Sequence, residues 1–156
     1  MARPSERAYV DGVFDLFHAG HLEFLRKARA AAERAAAGAE VTLVVGVVSD
    51  EAAGWKRRPV VPHAQRVEMV RCCALVDEVV PDPPLVLTDA FLDARGISRV
   101  LHGDDDLQEA FFRAPRARGV MLYVPYTREG PLAVSTSGLI ARIRGRPDLA
   151  AEAAGA

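Results

Sequence analysis

Short apolar runs alternate along this chain with longer amphipathic segments. Residues 8–13, AYVDGV, read as a first strand. From about Leu22 to Ala37 the period becomes helical. Leu22, Leu25, Ala28 and Ala32 keep one face apolar, Glu23 stands four residues before Lys27, and Gly38 can close the end. VTLVVGVV (41–48) is β-branched and apolar on both parities, which predicts a strand buried on both faces. A charged, proline-bearing loop follows over 49–62. Residues 63–75 predict a helix that turns Val67, Met69, Val70 and Cys73 toward a core, and 76–81 a short strand. Residues 87–96 predict a helix with Thr88 at its N-cap and Gly96 past its end. Residues 97–102 and 120–125 read as strands, 108–119 as a helix broken at Pro115, and 135–145 as a last helix.

Strands alternating with helices predict an α/β fold: a single domain with a doubly wound, Rossmann-like parallel sheet of about five strands. The domain is placed at 1–146, with 147–156 as a flexible tail of small and polar residues. In such sheets ligands bind at the carboxyl ends of strands. The polar clusters fall there: DGVFDLFHAGH after the first strand, SDEAAGWKRRP after the second, HGDDD after a later one, and TREG…STS after the last. The pattern lets distant loops converge on one site.

A formal net charge of −1 gives no general attraction to nucleic acid or anionic membrane, so an anion site has to be local. The adjacent cysteines, Cys72 and Cys73, point about 100° apart on a helix. They are read as buried thiols in a reducing compartment. MARPSERAYV lacks the apolar core of a signal peptide and no apolar run reaches about 18 residues, so the expected setting is cytoplasmic, away from membranes.

His18 and His21 are two of only four histidines. Three readings compete for them: satisfied structural imidazoles, a metal pair aided by Asp11 or Asp15, and phosphate handling. In the last, imidazoles at a strand-to-helix turn donate to phosphate oxygens beside a helix N-terminus. Gly20 would then let a nucleotide lie against bare backbone.

HAGH after a strand resembles the HxGH signature of the nucleotidyltransferase superfamily. The longer run YVDGVFDLFHAGHLEFLRKAR looks like the cytidylyltransferase branch, whose members make CDP-choline, CDP-ethanolamine and CDP-glycerol. KRRPVVPHAQR (56–66), VDEVVPDPP (76–84), HGDD (102–105) and REG…VSTSGLIARI (128–143) resemble further blocks of that family, in the same order. Together they cover roughly residues 8–145.

The resemblance implies CMP transfer from CTP, as its Mg²⁺ complex, to a small phosphorylated or phosphonate alcohol, with pyrophosphate leaving. It implies that His18, His21, Lys56 and Arg128 handle phosphates. It places Val13, Phe14, Asp15, Gly20, His102, Asp104, Ser135, Thr136 and Ser137 at the nucleotide, and Asp11, Lys56, Arg66 and Leu85 at the acceptor. Asp50 is a weaker candidate for the region of Asp104. One of Ser135, Thr136 and Ser137 is expected to serve only as a helix cap, and Arg57 and Arg58 are read as a charged loop. Pro131-Leu132-Ala133 depart from the family pattern and imply a longer loop after Arg128. The resemblance also implies a homodimer through Ala74–Val80.

Choline-type enzymes place a tryptophan where this chain has Leu85, and a tyrosine near Asp106-Leu107-Gln108. Phe111 and Phe112 have the spacing of core residues. The aromatic cage that a quaternary ammonium needs is therefore expected to be missing, which favours ethanolamine phosphate. Glycerol 3-phosphate and hydroxyalkyl phosphonates stay open. Choline phosphate ranks lower, and no membrane-sensing helix is expected after the domain. An ATP-dependent adenylyltransferase and a non-catalytic nucleotide-binding module are the rival classes. A class I aminoacyl-tRNA synthetase fragment fits poorly, for want of length and a basic face.

Overall fold

The structure, a computed structural model, describes residues 5–54, 57–105 and 109–149. Five strands form one parallel sheet: β1 (Ser5–Gly12), β2 (Glu40–Val47), β3 (Glu78–Pro81), β4 (Arg99–Gly103) and β5 (Met121–Val124). Their order is β3-β2-β1-β4-β5. Helices α1 (Ala19–Ala35), α2 (Asp50–Ala53), α3 (His63–Arg71), α4 (Asp89–Ala94), α5 (Arg113–Ala117) and α6 (Thr136–Arg144) accompany them. A 3-10 turn at Glu109–Phe112 leads into α5. The expected parallel α/β domain is what forms.

Strand alternation sorts the core into two layers. On one face Ala8, Val10, Leu43, Val45 and Val47 pack with Phe24, Leu25, Ala28 and Ala32 of α1 and with Val67 and Val70 of α3. On the other, Tyr9, Val44 and Val100 pack with Leu87, Leu92, Ile97 and Phe112. β2 feeds both layers, which is why its sequence is apolar on both parities. Thr88 caps α4 by accepting the Phe91 N–H at 3.2 Å, and Gly96, at φ +60, takes the chain out of it. Pro115 sits in the first turn of α5, where its missing N–H costs no helical bond.

Several local expectations are corrected. Met69 is 51% exposed: Val67 and Val70 share the buried face, and Met69 lies a third of a turn away from Val70. α3 stops at Arg71, so the cysteines ride the turn leaving the helix, Cys72 exposed and Cys73 half-buried. Glu23 pairs with Arg26 rather than Lys27. Lys27 instead donates to Pro125 O at 3.1 Å and to Thr127 Oγ1 at 2.8 Å. Residues 147–149, placed in the tail, are helical.

Candidate active site

The strand order reverses at β1, and the carboxyl ends of β1 and β4 part there. β1 pairs with β2 as far as Gly12↔Val47, but with β4 only at Ala8↔Arg99 and Tyr9↔Val100. Beyond that split opens a cleft of about 900 Å³, a size suited to a small-molecule site. Asp11 and His102, each two residues past the last pair, both line it.

The turn after β1 is held under local strain. Phe14 and Leu16 take φ +53 and +51, which costs non-glycine residues roughly 1–2 kcal/mol each. Asp15 offsets that cost. Its carboxylate, 2% exposed, accepts the Val60 and Val61 N–H groups, both at 2.9 Å. This clamps the 57–61 segment against the turn and brings Arg57 Nη2 to 3.7 Å from Asp15. Beneath the same turn lies Arg66, 1% exposed. Its guanidinium donates to Val61 O, Val13 O, Val48 O and Asp50. The expectation that Arg66 holds acceptor phosphate is corrected: four of its five N–H donors join three loops, and it does not line the cleft. Asp50 is likewise used on Arg66 and the His63 N–H.

His18 is the N-cap of α1 and His21 stands at its third position. The His18 N–H donates to His21 Nδ1 at 3.3 Å, so His21 keeps its proton on Nε2. The rings stack 3.8 Å apart, 18° from parallel. Burial, and then the neighbouring imidazole, push His21 down to about 3. Burial also lowers His18. His18 Nε2 meets Thr136 Oγ1 at 3.2 Å, and that hydroxyl donates to Asp15 O at 3.1 Å. The N-termini of α1 and α6 therefore adjoin. Neither first turn contains an acidic side chain, whereas those of α2 and α4 do. Two uncompensated positive helix ends at one cleft make an anion site. Ser135 is the plain cap, accepting the Gly138 N–H at 3.1 Å. Ser137 Oγ lies 3.5 Å from Arg57. Gly20 has a packing role besides the expected one: a Cβ there would stand 2.2 Å from Val134 O. Glycine there admits the loop before α6, and Gly20 also lines the cleft.

The inner end of the cleft is acidic and aromatic. Asp11 accepts from Tyr9 Oη at 3.3 Å, and burial pushes its carboxyl up to about 6, against the opposing pull of His102. Asp105, Phe24, Leu85, Phe111, Phe112 and Tyr126 share these walls. The Tyr126 ring packs on Gly103, where a Cβ would come within 2.1 Å of it. Phe112 is core, as its spacing predicted, while Tyr126 and Phe24 add aromatic lining that the sequence reading did not single out. They went unnoticed because Tyr126, on β5's exit, is far in sequence from Asp11, and Phe24, on α1, meets the site through the Tyr126 ring, 5.3 Å away.

Asp104 is not on the cleft wall. It holds Arg128 at 2.6 and 3.0 Å and accepts the Tyr126 N–H at 2.9 Å. The Arg128 guanidinium, first of all, draws the Asp104 carboxyl down to about 2. Arg128 itself lines the cleft. The cleft thus gathers Asp11, Val13, Phe14, Asp15, Gly20, His18, His21, Leu85, His102, Arg128 and the Ser135–Ser137 turn. Arg66 and Asp104 stay outside it, and Lys56 and Trp55 lie outside the described residues. Arg57, read from sequence as a loop charge, is aimed into the cleft. Its only sequence signal was its place beside Lys56 in the run before Pro59.

Among the described residues no three metal-ligating side chains gather, and each Asp15 oxygen already accepts one backbone N–H group. Beside the histidine pair no third metal-ligating side chain stands among the described residues. A magnesium ion carried on triphosphate oxygens needs no protein cage.

Comparison with known proteins agrees with this geometry. A cytidylyltransferase-like family model matches residues 9–129. The chain is similar to the ethanolamine-phosphate cytidylyltransferase of Arabidopsis thaliana, 42% identical over 66% of this chain and 24% of that protein. It is also similar to a probable choline-phosphate cytidylyltransferase of Schizosaccharomyces pombe, 37% identical over 88% of this chain and 36% of the other. It therefore spans about a quarter to a third of the length of these relatives. In fold it is similar to a lipopolysaccharide core biosynthesis protein from Thermoplasma volcanium, with TM-score 0.60 and 19% identity over 80% of this chain and 98% of that one. With the family model spanning residues 9–129, most of the chain, the chain belongs to the cytidylyltransferase-like family.

Proposed function

We propose that this chain transfers CMP from CTP to a small phosphorylated amino alcohol, giving a CDP-alcohol and pyrophosphate. The observation that carries the reading is the meeting of the α1 and α6 N-termini through His18 and Thr136, opposite a carboxylate with aromatic walls. The first arrangement suits a triphosphate and the second an ammonium.

In the reaction an acceptor phosphate oxygen attacks the α-phosphorus in line. A new P–O bond forms, the bond to the β-phosphate oxygen breaks, and pyrophosphate carries off the electron pair. No protein nucleophile is needed, so catalysis is positioning and charge stabilisation. His21 Nε2–H, the free first-turn N–H groups and Arg57 supply fixed donors, while Arg128 stands at the rim on Asp104. Mg²⁺ enters as part of the CTP complex.

Asp11 and Asp105 can accept hydrogen bonds from a primary ammonium, which favours ethanolamine phosphate. Rings at Tyr126, Phe111 and Phe112 make choline phosphate the second candidate. The test is pyrophosphate release with CTP or ATP against ethanolamine, choline and glycerol phosphates and hydroxyethylphosphonate. Turnover with CTP and ethanolamine phosphate supports the reading. Nucleotide binding without pyrophosphate release from any acceptor refutes it.

A further inference from the structure

Four consecutive residues leaving β5 each have a polar group tied to a charged side chain, and the ties alternate between two elements. Lys27 of α1 donates to Pro125 O at 3.1 Å and to Thr127 Oγ1 at 2.8 Å. Asp104, just past β4, accepts the Tyr126 N–H at 2.9 Å and two N–H groups of the Arg128 guanidinium at 2.6 and 3.0 Å. Residues 125–128 are thus pinned from both sides. The Tyr126 ring is seated the same way, with Phe24 of α1 at 5.3 Å between centroids and Gly103 of β4 beneath it. Tyr126, Thr127 and Arg128 line the cleft, whereas Lys27 and Asp104 do not.

Stability does not explain either pin. The Arg128–Asp104 pair is exposed, its side chains 59% and 34% accessible, and such pairs contribute little to folding. Lys27 forms no ion pair among the described residues. Glu23, one turn before it, goes to Arg26, and the Lys27 ammonium is spent on a carbonyl and a hydroxyl. What the pins achieve is position. A long exposed guanidinium left to itself samples many rotamers, and ordering it counts against any ligand it meets. Asp104 orders it in advance and engages two of its five N–H groups, which leaves three for an anion. Asp104 can do so only while the backbone of 126–128 stays at the end of β4. Lys27 secures that backbone on either side of Tyr126.

We propose that Lys27 is a positioning residue for CTP: it touches no substrate, and by pinning the segment that carries Arg128 it holds that guanidinium ready for the triphosphate. The inference rests on the proposed CTP site.

The test is a double-mutant cycle. Mg²⁺·CTP is titrated calorimetrically into the full chain as wild type, Lys27→Met, Arg128→Gln and the double variant, and the thermal unfolding midpoint of each is measured alongside. Methionine keeps an apolar stem and removes both donated bonds. Lys27→Met should bind CTP about 10-fold more weakly, a loss typical of one or two hydrogen bonds, with its midpoint within about 3 °C of wild type. Arg128→Gln should weaken CTP at least as much. In that background Lys27→Met should add less than about 2-fold, because the group it positions is gone. Lys27→Arg, whose fork can reach both oxygens, should bind within about 3-fold of wild type. Wild-type affinity in Lys27→Met overturns the inference. So do losses that multiply in the double variant, failed rescue by arginine, or a Lys27→Met midpoint that falls further than stated. In each of these cases the wild type still binds CTP and the proposed function stands. Failure of the wild type to bind CTP overturns both.

Discussion

Replacing Asp11 by asparagine should stabilise the fold while abolishing its use of an amino-alcohol acceptor. The Asp11 carboxyl is pushed from 3.8 up to about 6 by burial. A raised acid binds protons in the native state that the unfolded chain has already released. Stability from this group therefore falls as pH rises from about 4 to about 6, and the loss persists above. A shift of about two units corresponds to about 3 kcal/mol at most, at 1.36 kcal/mol per unit. Asparagine keeps an acceptor for Tyr9 Oη and removes the charge. His21, pushed down to about 3, gives a slope of opposite sign over part of this window, so the wild-type profile alone is uninformative. The difference between variant and wild type isolates Asp11. Urea denaturation at intervals from pH 4 to 8 should show near equality at pH 4, and an advantage of about 1–3 kcal/mol for Asp11→Asn above pH 6.5. Turnover with ethanolamine phosphate should drop at least about 100-fold, as expected when a buried ionic partner is removed. A variant less stable than wild type at pH 7, or a pH-independent difference, would refute the reasoning.

Other substitutions separate chemistry from scaffolding. His21→Ala should lower kcat about 10²–10³-fold with the midpoint of thermal unfolding little changed; near-normal turnover contradicts its role as a phosphate donor. Arg57→Ala and Arg66→Met should differ in kind: Arg57→Ala weakens CTP binding at unchanged stability, whereas Arg66→Met costs about 3–5 kcal/mol by stranding three carbonyls and Asp50. Denaturation and nucleotide titration side by side check the pair. Gly20→Ala should displace the loop carrying Val134, since no Cβ fits 2.2 Å from that carbonyl, and should raise the KM for CTP more than it lowers the unfolding midpoint.

The layered fold was legible because it rests on local periodicity. β2 announced itself by being apolar on both parities, and α4 by Thr88 and Gly96. The meeting of His18, His21 and Ser135–Ser137 at the cleft was legible too, because each lies at a helix start. What the sequence hid depends on which way a side chain leaves its backbone. Arg66 sits in a motif-like position, yet α3 rotates it under the turn, where carbonyls bind it more closely than solvent would. Arg57 reaches the cleft only because Asp15 clamps the backbone after it, a contact spanning 45 residues. Tyr126 joins the acidic end only because Gly103 leaves room for its ring. Asp104 looked like a binding residue and instead holds Arg128. Pairings between loops distant in sequence leave no periodic trace.

The most direct measurement is ³¹P NMR of the purified chain incubated with Mg²⁺, CTP and ethanolamine phosphate. The account predicts CDP-ethanolamine and pyrophosphate appearing in equal amounts, with neither formed by His21→Ala over the same time. Unchanged CTP and ethanolamine phosphate, or pyrophosphate released without a CDP-alcohol, would contradict it.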